Sequence, residues 1–139
     1  MAGIGPFIAH NDTPFRHRPA GTLKDTLFYL ALLRLLLPEV LLPATTALGT
    51  IHPQGRELGV LSGANVIMPN LSPVSVRGKY MLYDGKLSSG AEAAENLEEL
   101  KHRMEKIGCR IVTDRGDAAG WMRNRDKKSE VQEVERNTI

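Results

Sequence analysis

LLPATTALGTI, residues 41–51, followed at once by HPQGRE, residues 52–57, is the stretch on which the fold turns. Its first half is apolar enough for a buried strand, and two adjacent threonines then stand at the point where a strand gives way to a turn-rich loop. On their own, Thr45 and Thr46 read as β-branched strand residues. Val40–Thr46 is therefore predicted as a strand, Gly55–Leu61 as a short helix closed by Gly63, and ANVIMP, residues 64–69, as a further strand. The unbroken apolar run of that last segment suits a parallel strand buried on both faces.

The same rhythm extends outward. Upstream, Ala2–Ile8 is a short apolar run in which Gly3 and Gly5 leave room for something to approach the backbone, and residues 10–21 form a Pro-, Asn- and Gly-rich loop. Thr22 with Asp25 makes a capping signature ahead of a helix over Leu23–Leu37, which Pro38 stops. That helix is apolar nearly all round, so it needs cover on more than one side. Downstream, residues 70–89 form a loop carrying Tyr80 and Tyr83. Ser89 with Glu92 caps a last helix whose apolar face is Ala94, Leu97, Leu100, Met104 and Ile107, with Gly108 as its stop and Glu99 and Arg103 four apart on its wet side. CRIVTD, residues 109–114, is predicted as a final strand, and residues 121–139 as a polar, disordered tail.

Alternating strands and helices predict a parallel α/β fold. A closed (β/α)8 barrel needs about 250 residues, so 139 residues amount to about three of its units. In such barrels chemistry sits at the C-terminal ends of the strands, which is where the irregular polar residues of this chain fall. Thr45 and Thr46 would then be hydroxyls at the mouth, able both to donate and to accept.

Composition narrows the function. Lys+Arg 18 against Asp+Glu 16 gives a net charge of +2, and the basic residues form no stripe and interleave with no aromatics, which argues against nucleic acid. Residues 27–42 are the one apolar stretch of note, but Arg34, Pro38 and Glu39 interrupt it well short of the roughly 20 residues a bilayer requires, so no membrane is expected. The opening MAGIGPFIAHND lacks the basic region of a signal peptide. Cys109 stands alone, which excludes an intramolecular disulfide and a self-contained four-cysteine site and fits a reducing cytoplasm. His10, Asp12 and His17 read as solvated loop residues rather than a metal set, so no metal ligand is assigned, and Met1 and Met68 read, on their own, as core fillers.

Four motifs in this order and spacing, GIGPFIAHNDTPF, LLPATTALGTIHPQGRE, GANVIMPNLSP and RGKYMLYDGK, resemble the closing part of the HydE family of radical S-adenosylmethionine maturases, which act on the H-cluster of iron-iron hydrogenase. The resemblance runs from Met1 to about Gly120 and includes the domain shared with biotin and thiamine synthesis enzymes. It implies the C-terminal portion of a radical S-adenosylmethionine (β/α)8 barrel. The full-length family carries one 4Fe-4S cluster on a CxxxCxxC loop and reductively cleaves S-adenosylmethionine to a 5′-deoxyadenosyl radical, which acts on an organometallic small-molecule substrate. Biotin synthase-like and methylornithine synthase-like enzymes are the neighbouring alternatives, and a non-catalytic binding remnant is the alternative of another class.

Site residues follow from the resemblance position by position. Met1, Gly3, Gly5 and Pro6 match the sixth-strand segment beside S-adenosylmethionine, and Met68 and Pro69 match the eighth strand close to that cofactor. Thr45, Thr46 and Ala47 match the seventh-strand substrate wall, joined by Tyr80, while Tyr83 is expected to aim its phenol at the reacting centre. The chain has no CxxxCxxC, and Met1 corresponds to an internal methionine of the family, so a fragment inactive by itself is expected, with the missing N-terminal barrel half and other H-cluster maturases as partners. Ser88, Asn96 and Glu99 occupy the places where some relatives hold accessory-cluster cysteines, so a second cluster is not expected.

Overall fold

The computed structural model describes residues 1–77, 79, 83, 85, 96–113, 116 and 117. Its centre is one β-α-β unit. Strand β1, Pro43–Ala44, runs parallel to β2, Val66–Ile67, in the register Pro43 to Val66 and Ala44 to Ile67. Helices α2, Thr46–Ile51, and α3, Gly55–Leu61, lie between them in sequence, and α1, Leu23–Leu36, precedes them. A single turn, α4, Val74–Arg77, and the longer α5, Leu97–Lys106, follow.

Helix α1 starts where its capping signature says it should. The Thr22 hydroxyl accepts from the Asp25 backbone N–H at 3.1 Å and donates to the Asp25 carboxylate at 2.6 Å. The helix buries Thr26 and Leu30. Leu30 joins Leu42, Ala44, Leu48 and Ala64 in the core, with Ile4, Leu33 and Val60 packed against it. Its far face, Phe28, Tyr29, Leu32, Leu35 and Leu36, is exposed, so the second layer of cover expected for an all-round apolar helix does not come from the described residues.

Several segments depart from the strand expectations. Ala2–Ile8 is irregular, and its Ala2 N–H donates to the carbonyl of Leu41, just ahead of β1, at 2.9 Å. Gly3 and Gly5 weaken a strand there and Pro6 removes a donor. The strand expected over Val40–Thr46 shrinks to β1, because Pro43 has no N–H and the Leu42 N–H is taken by the Asn65 side-chain oxygen at 2.8 Å. Thr46, expected as the last residue of that strand, instead opens α2, and the helix takes up the stretch expected to be loop. Residues 109–113 form no strand; they leave α5 irregularly after Gly108, whose φ of +76° ends the helix as expected. The start expected for α5 at Ser89 and the tail over 121–139 lie outside the described residues.

Helix α5 docks by charge as well as by Leu100 and Met104, which are buried. Its Arg103 was expected on the wet side. It turns inward instead, giving the Glu57 carboxylate a two-pronged contact, Nη2 at 2.8 Å, and donating to the Pro53 carbonyl at 2.8 Å. The physical reason is that a partly buried carboxylate on α3 offers a planar, bidentate partner that an exposed Glu99 does not. No helix among the described residues is long and apolar enough to cross a membrane.

Candidate functional site

The turn HPQG brings α2 and α3 into contact, and Gly55 is required there: a Cβ on it would lie 2.0 Å from the Leu48 carbonyl oxygen. That approach places Arg56 on the inner side of α3, fully buried. Its Nη2 donates to the Thr46 hydroxyl at 3.1 Å and to the Met68 carbonyl at 3.3 Å. One guanidinium thus joins the residues that follow β1 to those that follow β2. A buried arginine is costly unless it is met by acceptors, so this placement demands the hydroxyl and the carbonyl that receive it.

Beside it, Gly5 lies against Thr45. A Cβ on Gly5 would sit 2.8 Å from the Thr45 hydroxyl oxygen, so the first segment reaches the threonines only because residue 5 has no side chain. The Thr45 hydroxyl is buried and makes no hydrogen bond. Although Thr45 holds the N-cap position of α2, its side chain does not cap the helix. Pro6 is buried next to this contact in sequence, and Ala47 and Pro69 are half-buried.

The expected site residues therefore divide. Gly5 and Thr45 meet, and Thr46 and Met68 are linked through Arg56. The Met1 side chain is 70% exposed, that of Met68 49%, and around Gly3 the space where a Cβ would lie is open. Tyr83 is half-buried, and Tyr80 lies outside the described residues. A cavity of about 550 Å³ lies elsewhere, between β2, Met104 and residues 109–112, and none of the expected site residues lines it.

Arg56 was missed in the sequence. The available signal was a charged pair, Arg56-Glu57, one residue after a Pro-Gln-Gly turn, inside a helix short enough that a charged side chain would usually be solvated. Glu57 explains part of the pairing. Burial pushes its carboxyl up, but the hydrogen bonds from Arg103 and a backbone N–H, with the charges of Arg103 and Arg56, carry it net below its ordinary value of 4.5. A carboxylate held ionised next to Arg56 balances the buried positive charge.

No family model matches the chain. The FeFe hydrogenase maturase subunit HydE of Thermotoga maritima is 54% identical over 87 residues, which is 63% of this chain and 25% of that protein. The chain resembles HydE. It spans about a quarter of the length of the relative it matches, and the motifs read in the sequence are supported by that identity. For a radical S-adenosylmethionine protein the residues present fit only part of the cofactor set. The sequence has the one cysteine, and no group of three or more His, Cys, Asp or Glu gathers among the described residues to hold a metal ion. The iron-sulfur cluster therefore does not fit this chain. The Gly5–Thr45 contact, with its buried unpartnered hydroxyl, is the kind of polar cradle that a small organic ligand would complete.

Proposed function

We propose that this chain is the C-terminal portion of a radical S-adenosylmethionine maturase of the HydE type, supplying cavity wall and ligand contacts to a (β/α)8 barrel in the cytoplasm. The observation that carries the reading is the 54% identity to a curated HydE, which spans 87 residues. In this reading the ends of β1 and β2 lie at the barrel mouth. Thr45, Thr46 and Ala47 face the organometallic substrate, joined by Tyr80. Met1, Gly3, Gly5, Pro6, Met68 and Pro69 lie along S-adenosylmethionine. The Tyr83 phenol points to the reacting centre, where its ring excludes water and its hydroxyl can donate. The cluster and its cysteines belong to the N-terminal barrel half, and the other H-cluster maturases are the further partners.

The chain's own contribution is positional. Its hydroxyls bind and orient, and its apolar residues keep water from the reaction, while the reductive cleavage is the work of the cofactor and cluster when bound. Co-expression with a polypeptide that carries CxxxCxxC and the missing half of the barrel tests this. The expected result is a co-purifying complex that forms 5′-deoxyadenosine from S-adenosylmethionine under reducing conditions. A complex that forms and yet cleaves none would overturn the proposal.

A further inference from the structure

Arg56 has a feature that no other guanidinium of the described residues shares: one of its acceptors is a side-chain hydroxyl of the candidate site. Guanidinium nitrogens only donate. At the 3.1 Å contact Thr46 Oγ1 must therefore be the acceptor, and its own hydrogen is turned away from Arg56. The same Nη2 reaches the Met68 carbonyl at 3.3 Å, so the direction of the Thr46 hydroxyl is tied to the backbone that follows β2. Arg56 is fully buried, and α3 is held in place by the close Gly55 contact at one end and by Arg103 on Glu57 beside it. A donor fixed in this way has little freedom to follow a rotating hydroxyl, so the hydroxyl follows the donor.

We propose that Arg56 is the positioning residue of this site: it sets the Thr46 rotamer and presents the Thr46 hydroxyl as a donor toward the bound ligand. Arg56 acts through Thr46 and touches no ligand itself. The inference rests on the reading that Thr46 faces a ligand, and it adds a specificity. The ligand group that meets Thr46 is a hydrogen-bond acceptor, which an ammonium cannot be.

The test uses the full chain with threonine methyl groups labelled for NMR. Three-bond couplings to the Thr46 γ-methyl carbon read its χ1 directly. In the wild type they are expected to report one rotamer. In Arg56→Met, which keeps the volume and removes the donors, they are expected to average over several rotamers while the leucine methyl signals of Leu30 and Leu42, in the core, stay in place. A purely structural arginine would shift stability and leave the Thr46 couplings alone, so an unchanged rotamer in Arg56→Met overturns the proposal. If Arg56→Met loses the core signals, Arg56→Lys decides: a compact ammonium cannot hold both Thr46 and the Met68 carbonyl, so partial averaging supports the proposal and unchanged couplings overturn it. The experiment needs no S-adenosylmethionine cleavage. A failed complementation would remove the HydE-type function and leave the role of Arg56 toward Thr46 standing, whereas fixed couplings would remove that role and leave the function untouched.

Discussion

The two ends of the β1/β2 layer are each tied by an arginine, and they are tied differently. At the end where the strands begin, Arg34 of α1 donates to backbone carbonyls: Gly63 at 2.8 Å, Pro38 at 2.7 Å, Val40 at 3.0 Å and, at 3.5 Å, Leu37. At the end where they finish, Arg56 donates to the Thr46 hydroxyl as well as to a carbonyl. Backbone carbonyls have no rotor to set, so the first arginine can only fasten: it satisfies the carbonyls that a helix end and two strand entries would otherwise leave open. A hydroxyl can be aimed, so the second arginine fastens and also directs. In parallel α/β sheets ligands gather beyond the carboxyl ends of strands, and the directing arginine is the one at that end.

The largest effect is expected at the fastening end. Arg34→Met keeps the aliphatic stem and strips the donors from the strand- and helix-end carbonyls, so we expect a loss of about 2–4 kcal/mol, read as a lowered urea midpoint with an unchanged slope. Gly63 narrows the alternatives open to the chain there. Its φ is +114°, and a Cβ on it would meet the Arg34 Cβ at 2.7 Å, so the arginine stem packs where only a glycine leaves room. If Arg34→Met melts no earlier than the wild type, the contrast between the two ends fails at its stronger side.

Glu57 sharpens the comparison from the directing end. It lies beside Arg56 in sequence and is clamped by Arg103, so the carboxylate both anchors α5 and offsets the buried charge of α3. Glu57→Gln should cost about 2 kcal/mol at neutral pH, since it leaves the partly buried Arg103 with a weaker partner. The pH dependence has a definite sign. The folded-state value of Glu57 lies below its ordinary 4.5, so the stabilisation is complete above about that pH and is lost as pH falls through the lowered value. Thermal melts from neutral pH downward should therefore show wild type and Glu57→Gln converging in the acid range. A constant gap between them at all pH values would mean that the ion pair is not what the substitution removes.

How much of this was legible beforehand follows from what each feature depends on. The capping of α1 by Thr22 and Asp25, its stop near Pro38, the helix over Gly55–Leu61 and the glycine stop of α5 rest on neighbours within four residues, and the sequence carries them. The strands were overread. Apolar runs at Ala2–Ile8 and 109–113 have the composition of strands, but whether a run pairs depends on partners far away in sequence, and at β1 a single asparagine side chain, Asn65, took the bond that would have lengthened the ladder. The threonines were found through their motif. Arg34, Arg56 and the inward turn of Arg103 were not, because each depends on contacts that reach 29, 12 and 50 residues away, which no local pattern encodes.

The smallest effect expected also has the opposite sign, and it separates the two threonines. Thr46 has its hydroxyl engaged by Arg56. Thr45, one residue earlier, has a hydroxyl that is buried and makes no hydrogen bond, a burial that costs about 1–3 kcal/mol when nothing compensates it. Thr45→Val keeps the shape, removes the uncompensated oxygen and should raise stability by about 1 kcal/mol, seen as a higher thermal midpoint. A hydroxyl left unpartnered there costs the fold stability, so in the proposed reading Thr45 is kept for a ligand that completes its bond when bound. A Thr45→Val protein that melts lower than the wild type would mean that the hydroxyl is already satisfied within the fold, and the case for a ligand at Thr45 would then rest on resemblance alone.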